Sequence, residues 1–167
     1  MSNASPLRVV VMGVTGSGKT TIGSALAARL GARFVDADDL HPPRNVEKMA
    51  GGIPLTDADR DPWLNQVGRV LADATSPVVV ACSALARRYR DTIRAHAPDT
   101  RFVHLLGDRR VLGDRLSHRR GHFMPTTMLD SQVDALEPLT EDEHGVTIDA
   151  TLARDTIVDQ AMHYLTM

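Results

Sequence analysis

Gly13-Val14-Thr15-Gly16-Ser17-Gly18-Lys19-Thr20 decides how the rest of this chain is read. The run follows G-x-x-x-x-G-K-[ST], the pattern of a loop whose backbone cradles phosphate. Upstream, Arg8-Val9-Val10-Val11-Met12 is short and β-branched, the signature of a buried strand. Downstream, Thr21 to Leu30 carries apolar residues at helical spacing and stops at Gly31. Glycines at 13, 16 and 18 let backbone N–H groups point inward as a concave nest, and the helix N-terminus behind them adds partial positive charge. Lys19 then places an ammonium near the β- and γ-phosphates, and the Thr20 hydroxyl is the expected Mg²⁺ ligand. Val14, Thr15, Ser17 and Thr21 complete the expected nucleotide-binding set. The motif specifies ATP or GTP and leaves the acceptor of the phosphoryl group open.

The 167 residues suffice for one domain with a packed core. Hydrophobic residues make up 43%, yet no apolar run approaches the ~20 residues of a membrane span. A net charge of −2 argues against a general nucleic-acid-binding role. Cys82, alone in the chain, has no partner for an internal disulfide, which suits a reducing cytoplasm. No signal peptide is visible, and Met1-Ser2-Asn3-Ala4 reads as a frayed tail or an expression remnant. With 1–7 set aside, 8–167 reads as a single domain. Charge is uneven: Arg87 to Arg120 holds ten arginines and four acids, while Asp130 to Asp159 holds nine acids and one arginine. The basic stretch is suited to face phosphates, and the acidic one reads as solvated surface.

Strand-like runs recur at Val9–Met12, Arg33–Val35, Pro77–Cys82, Arg101–Leu106 and Val146–Ile148, with helical segments between them. This alternation predicts an α/β fold with a five-stranded parallel sheet flanked by helices. Ligands then gather at the carboxyl ends of the strands. After the second strand, Asp36 and Asp38 leave on opposite sides. One suits a role near Mg²⁺ and the other suits taking a proton from an acceptor hydroxyl, with capping of a helix opened by Pro42-Pro43 as the plainer alternative. The stretch 42–64 reads as a polar insert covering a substrate: a short helix, Gly51-Gly52, then a loop entering a second helix at Asp61-Pro62. His41, Arg44 and Lys48 carry donors for a polyhydroxylated or anionic ligand, and Trp63 reads as a packing anchor. After the third strand, Ser83 suits a phosphate or Mg²⁺ contact through a neighbour. Cys82 reads as a buried, unreactive thiol, and Arg87 or Arg90 has the fork to hold a carboxylate. After the fourth strand a basic helix runs into Gly121, the composition of a lid that closes over phosphate. His118 and His122 have zinc-like spacing, but arginines surround them and no thiol or carboxylate completes a site.

These residues together resemble the small P-loop gluconokinases, relatives of shikimate and nucleoside monophosphate kinases. Beyond the glycine loop, the likeness rests on Asp36-x-Asp38-x-x-His41-Pro42, Asn45-x-x-Lys48-Met49, Gly52-x-Pro54-Leu55-x-Asp57-x-Asp59-Arg60 and Pro62-Trp63-Leu64. It continues through Cys82-Ser83-Ala84-Leu85, Tyr89-Arg90-Asp91 and Arg119-x-Gly121-His122-Phe123, and spans Val9 to about Tyr164. The resemblance implies a P-loop kinase with a substrate-binding insert and a lid over about 117–127. It implies ATP and Mg²⁺ as cofactors, D-gluconate as acceptor, 6-phospho-D-gluconate as product, and a homodimer. On this chain it implies catalytic roles for Lys19, Asp38 and Arg119. Arg115 and Arg119 join the glycine loop at the nucleotide, and Asp38, His41, Lys48, Arg90 and His122 contact gluconate. Thr20 and Asp36 serve the metal, although the division between Asp36 and Asp38 is open to reversal. Shikimate kinases usually carry a glycine triplet where this chain has Cys-Ser-Ala-Leu, and a purely regulatory nucleotide binder needs neither the acid pair nor the basic lid.

Overall fold

The computed structural model describes residues 5–117 and 126–167. Five strands, β1 (Arg8–Met12), β2 (Arg33–Asp36), β3 (Val78–Ala81), β4 (Arg101–Leu106) and β5 (Gly145–Asp149), form one sheet in the order β2-β3-β1-β4-β5. Every pairing is parallel. The five strand-like runs of the sequence thus become five strands, with boundaries within one residue at each end. The helices are α1 (Lys19–Leu30), α2 (Pro43–Ala50), α3 (Asp57–Asp73), α4 (Arg87–His96), α5 (Arg109–Ser117), α6 (Thr126–Ala135) and α7 (Arg154–Leu165). A 3₁₀ turn, Ala37–Leu40, follows β2.

Alternation along β1 splits the core into two layers. Val9 and Val11 pack with Ile22 and Leu26 of α1 and with Ile157 and Ala161 of α7. Val10 and Met12 turn to the other face, against Leu64, Val67 and Leu71 of α3 and Ile93 of α4. With both faces of β1 fully buried, its run of valines needs no polar alternation. Among the described residues no helix is long and apolar enough to cross a membrane.

The second helix of the insert starts one turn earlier than its Asp61-Pro62 signal suggests. Thr56 caps it: Asp59 N–H donates to Thr56 Oγ1 at 3.1 Å, and Thr56 N–H donates to Asp59 Oδ2 at 2.9 Å. This reciprocal capping satisfies backbone donors at the helix start that have no partner within the helix. Residues 57–64 are therefore the first turns of a 17-residue helix that runs on beneath the sheet. The loops after β1, β2 and β3 meet at one end of the sheet, and that junction is the cleft.

Candidate active site

The glycine loop closes tightly between β1 and α1. A Cβ at Gly13 would lie 2.6 Å from Ser17 Oγ and 2.8 Å from the Leu105 carbonyl, so no larger residue fits there. Gly18 caps α1 with φ 96, a left-handed shape that glycine adopts without strain. Ser17 is buried with its hydroxyl turned into the loop, so it presents backbone rather than side chain to a ligand. Lys19 Nζ donates to the Val14 carbonyl at 3.1 Å, folded over the loop. The Thr15 N–H donates to Gln132 Oε1 of α6 at 2.6 Å, a contact with no signal in the sequence because 117 positions separate the two residues. A cleft of about 230 Å³ opens beside the loop, between Gly18, Thr21 and Ile22 on one side and Ala150, Leu152 and Arg154 on the other.

Asp36 and Asp38 take different places, because Asp36 ends β2 and Asp38 lies on the 3₁₀ turn that follows. Asp36 Oδ2 accepts from the Thr20 hydroxyl at 3.2 Å, while its Oδ1 accepts the Asp38 N–H at 3.0 Å and caps the 3₁₀ turn. Capping and a place beside the loop hydroxyl thus coexist in one carboxylate. Asp38 follows on the 3₁₀ turn itself. Partial withdrawal from water, followed by the negative charge of Asp36, raises its pKa, while Lys19 and His41 pull in the opposite direction. Those two residues are thus within electrostatic reach of the carboxylate.

His41 stacks on Trp63 with ring centroids 4.2 Å apart. Trp63 is buried as expected, and its indole N–H donates to the Ala37 carbonyl at 2.7 Å, so it anchors the acid-bearing turn and supports His41 at once. Asn45 Nδ2 lies 3.2 Å from His41 Nδ1 and donates to the Asp59 carbonyl at 2.9 Å. The carbonyl fixes that amide end as the donor. His41 Nδ1 is then the acceptor, and the neutral ring carries its proton on Nε2. Partial burial lowers the His41 pKa and favours this neutral form. Lys48 Nζ donates to Asp59 Oδ2 at 2.7 Å, and Arg44 reaches the same carboxylate at 3.5 Å. Both cations tie α2 to the start of α3, and the Lys48 bond heads the contacts that bring Asp59 down to about 2.

Arg90 is the clearest correction. The sequence reading places it on gluconate, but its side chain is 0% exposed. Its Nε and Nη2 donate to Glu143 Oε1 and Oε2 at 2.7 and 3.0 Å, and Nη2 also reaches the Pro138 carbonyl at 3.5 Å. Its Nη1 donates to the carbonyls of Ala84 at 2.9 Å and Leu85 at 3.1 Å. All five N–H donors of a guanidinium are spent within the protein. Arg60, quoted in the sequence only as part of a motif, does reach a cavity. With Trp63, Ser83, Leu85, Tyr89 and Gln132 it lines a second cavity of about 110 Å³. Arg60 Nη1 lies 3.2 Å from the Tyr89 hydroxyl. Its place three residues before Trp63 was the signal in the sequence; the approach to Tyr89, 29 positions away, came only with the fold. Cys82 is buried and its thiol is pushed up to about 12 by burial, which keeps it unreactive. Arg119, His118 and His122 lie outside the described residues, as does the side chain of Arg115 on α5.

The sequence model of the shikimate kinase family matches residues 15–166. A probable gluconokinase of Xenopus tropicalis is 46% identical over 170 residues, covering 91% of this chain and 90% of that protein. The solved structure of a gluconokinase from Sinorhizobium meliloti 1021 superposes with a TM-score of 0.89 at 47% identity, over 96% of this chain and 92% of that one. A shikimate kinase structure from Bacteroides thetaiotaomicron covers 96% of this chain and 99% of its own with a TM-score of 0.73, but at 22% identity it shares the fold alone.

Proposed function

Since the chain belongs to the gluconokinase family, within the wider group of kinases that the shikimate kinase model describes, we propose that Asp38 takes the proton of the acceptor hydroxyl while Lys19 and the glycine loop hold the phosphoryl donor. The reaction is the ATP-dependent phosphorylation of D-gluconate to 6-phospho-D-gluconate. The observation that carries the assignment is the placement of Asp38. It is the carboxylate on which Lys19 and His41 act electrostatically, while Asp36 is engaged by Thr20 and by the backbone.

The acceptor oxygen attacks the γ-phosphorus as the bond to the β–γ bridging oxygen breaks, and the hydroxyl proton passes to Asp38. A raised pKa makes this carboxylate a better proton acceptor than an ordinary aspartate. Lys19 leaves the Val14 carbonyl for the phosphates and holds the charge that builds there. Ile22 and Leu152 suit the flat adenine ring, and Arg154 lies at the rim of the same cleft. His41 offers its Nε2–H, and Arg60 its guanidinium, to the hydroxyls and carboxylate of gluconate. Mg²⁺ fits Thr20 and Asp36, two hard oxygen donors 3.2 Å apart. Among the described residues no three His, Cys, Asp or Glu side chains converge on an ion, so phosphate oxygens and water would complete its shell, as is usual for Mg²⁺. Bound there, the ion neutralises charge on the transferred group. Arg119 and His122 over about 117–127, Arg115 beside the nucleotide, and a homodimer remain parts of this proposal that rest on the family resemblance.

Coupled ADP release with Mg-ATP tests the reading across D-gluconate, shikimate, glycerate, hexoses and nucleoside monophosphates. Release that depends on D-gluconate supports it. Release with shikimate or a nucleotide instead keeps the phosphate site and discards the acceptor assignment.

A further inference from the structure

Arg90 leaves the list of substrate contacts with a question attached: what does a fully buried guanidinium hold? Three consecutive carbonyls follow β3, and each is tied to a different part of the fold. The Ser83 carbonyl accepts from Gly13 N–H of the glycine loop at 3.4 Å. The Ala84 carbonyl accepts from Arg90. The Leu85 carbonyl accepts from Arg90 and from the Glu137 N–H at 2.8 Å. At their centre Ala84 has φ 45, the one non-glycine residue with positive φ among the described residues. Its Cβ makes that conformation unfavourable, so surrounding bonds must hold it. Its neighbours Ser83 and Leu85 line the cavity that also holds Arg60 and Tyr89.

We propose that Arg90 is a positioning residue: its guanidinium holds the Ser83-Ala84-Leu85 turn in its strained shape and thereby sets the wall of the acceptor cavity. The inference rests on the reading of that cavity as the gluconate site. Glu143 fixes the guanidinium from behind. Its carboxylate also accepts from Arg94 at 2.7 Å and from the Thr140 N–H at 3.0 Å, so the fork has one orientation available. One flat group with five donors spans a carboxylate and three carbonyls at once; an ammonium at the same place cannot reach both sides.

Arg90→Lys therefore keeps a positive charge against the buried Glu143 and releases the turn. The gluconate KM should rise about tenfold, the scale of one strained residue, with the ATP KM within about twofold of wild type. Adding Ala84→Gly removes the Cβ penalty and should return the gluconate KM to within about threefold of wild type. A merely structural Arg90 predicts the opposite pattern, with both KM values moving together or the glycine failing to restore the loss, and either result overturns the proposal. If Arg90→Lys does not fold, Ala84→Val with Arg90 intact asks the same question by raising the strain. A normal gluconate KM in that variant overturns the proposal. Wild-type protein without gluconate-dependent turnover removes the acceptor reading and this inference with it. Gluconate-dependent wild type with an unmoved Arg90→Lys removes this inference alone.

Discussion

The proposed phosphate site is one unbroken run, Gly13 to Thr20, whereas the proposed acceptor side draws Asp38, Arg60, Ser83 and Gln132 from four separate segments. The first works through backbone N–H groups, a helix terminus and one lysine, all of which follow from local conformation. The second works through side chains that have value only where other side chains hold them. Asp38 depends on Trp63 anchoring the carbonyl of Ala37, and His41 depends on Trp63 and Asn45. The difference separates what is generic from what is particular. A phosphate nest needs the same peptide geometry for every acceptor, while the acceptor wall must be assembled anew for each.

Four perturbations break or sharpen this contrast. Lys19→Ala strikes the local half and should lower kcat/KM by about a thousandfold or more with every acceptor, since it removes a charge aimed at the transferred group. Substantial residual activity in the ADP-release assay would sink the phosphate-site reading. Asp38→Asn strikes the assembled half and should cut kcat by about a hundredfold or more, with ATP affinity by calorimetry close to wild type. In the wild type, the acid limb of the kcat profile should fall at a pH above the ordinary aspartate range, because Asp38 must be ionised to accept a proton and its pKa is raised. An acid limb at or below that range would remove the base assignment.

The third concerns the frame that both halves share. His104 on β4, in register with Met12 of β1, is 0% exposed, and neither ring nitrogen meets a hydrogen-bond partner among the described residues. Burial, followed by the charge of Arg90, lowers its pKa to about 4 from 6.5, against a smaller opposing effect of Glu143. The unfolded chain takes up this proton first. The contribution of His104 is therefore fully present above pH 6.5 and is lost as pH falls through the window down to about 4. The loss amounts to roughly 3 kcal/mol. His104→Leu should flatten that part of the stability–pH curve in urea melts, and an unchanged slope would show that the ring does not titrate as its burial requires. The fourth is the gentlest. Arg60→Leu should raise the gluconate KM about tenfold, the loss of one charge-assisted hydrogen bond, and leave the ATP KM alone. Equal effects on both substrates would place Arg60 outside the acceptor half.

Much of the molecule was legible in the order of its residues. The buried strands announced themselves as β-branched runs, and the glycine loop as a motif whose geometry is set by adjacent dihedrals. Asp36 and Asp38 were visible as an acid pair at a strand end; strand alternation alone would put residues two apart on one face, and it is the 3₁₀ turn opening at Ala37 that separates them. These features depend on contacts within a few residues, which local sequence carries. Arg90 and Arg60 show what local sequence does not carry. Both are arginines on helices beside the acceptor wall. One is spent on Glu143, 53 positions away, and the other opens onto the cleft. A guanidinium binds whichever acceptor the fold delivers, and that delivery is a long-range property of packing. The same holds for Gln132 on Thr15 and for the left-handed Ala84, whose strain makes sense only once Arg90 is seen across its carbonyl. The sequence by itself determined the sheet, the phosphate nest and the presence of an acid pair, because backbone geometry and short-range periodicity specify them. The tertiary structure alone decided which charges face the acceptor and which are consumed in holding its wall, because a buried donor must be satisfied by whatever distant group the packing brings within reach.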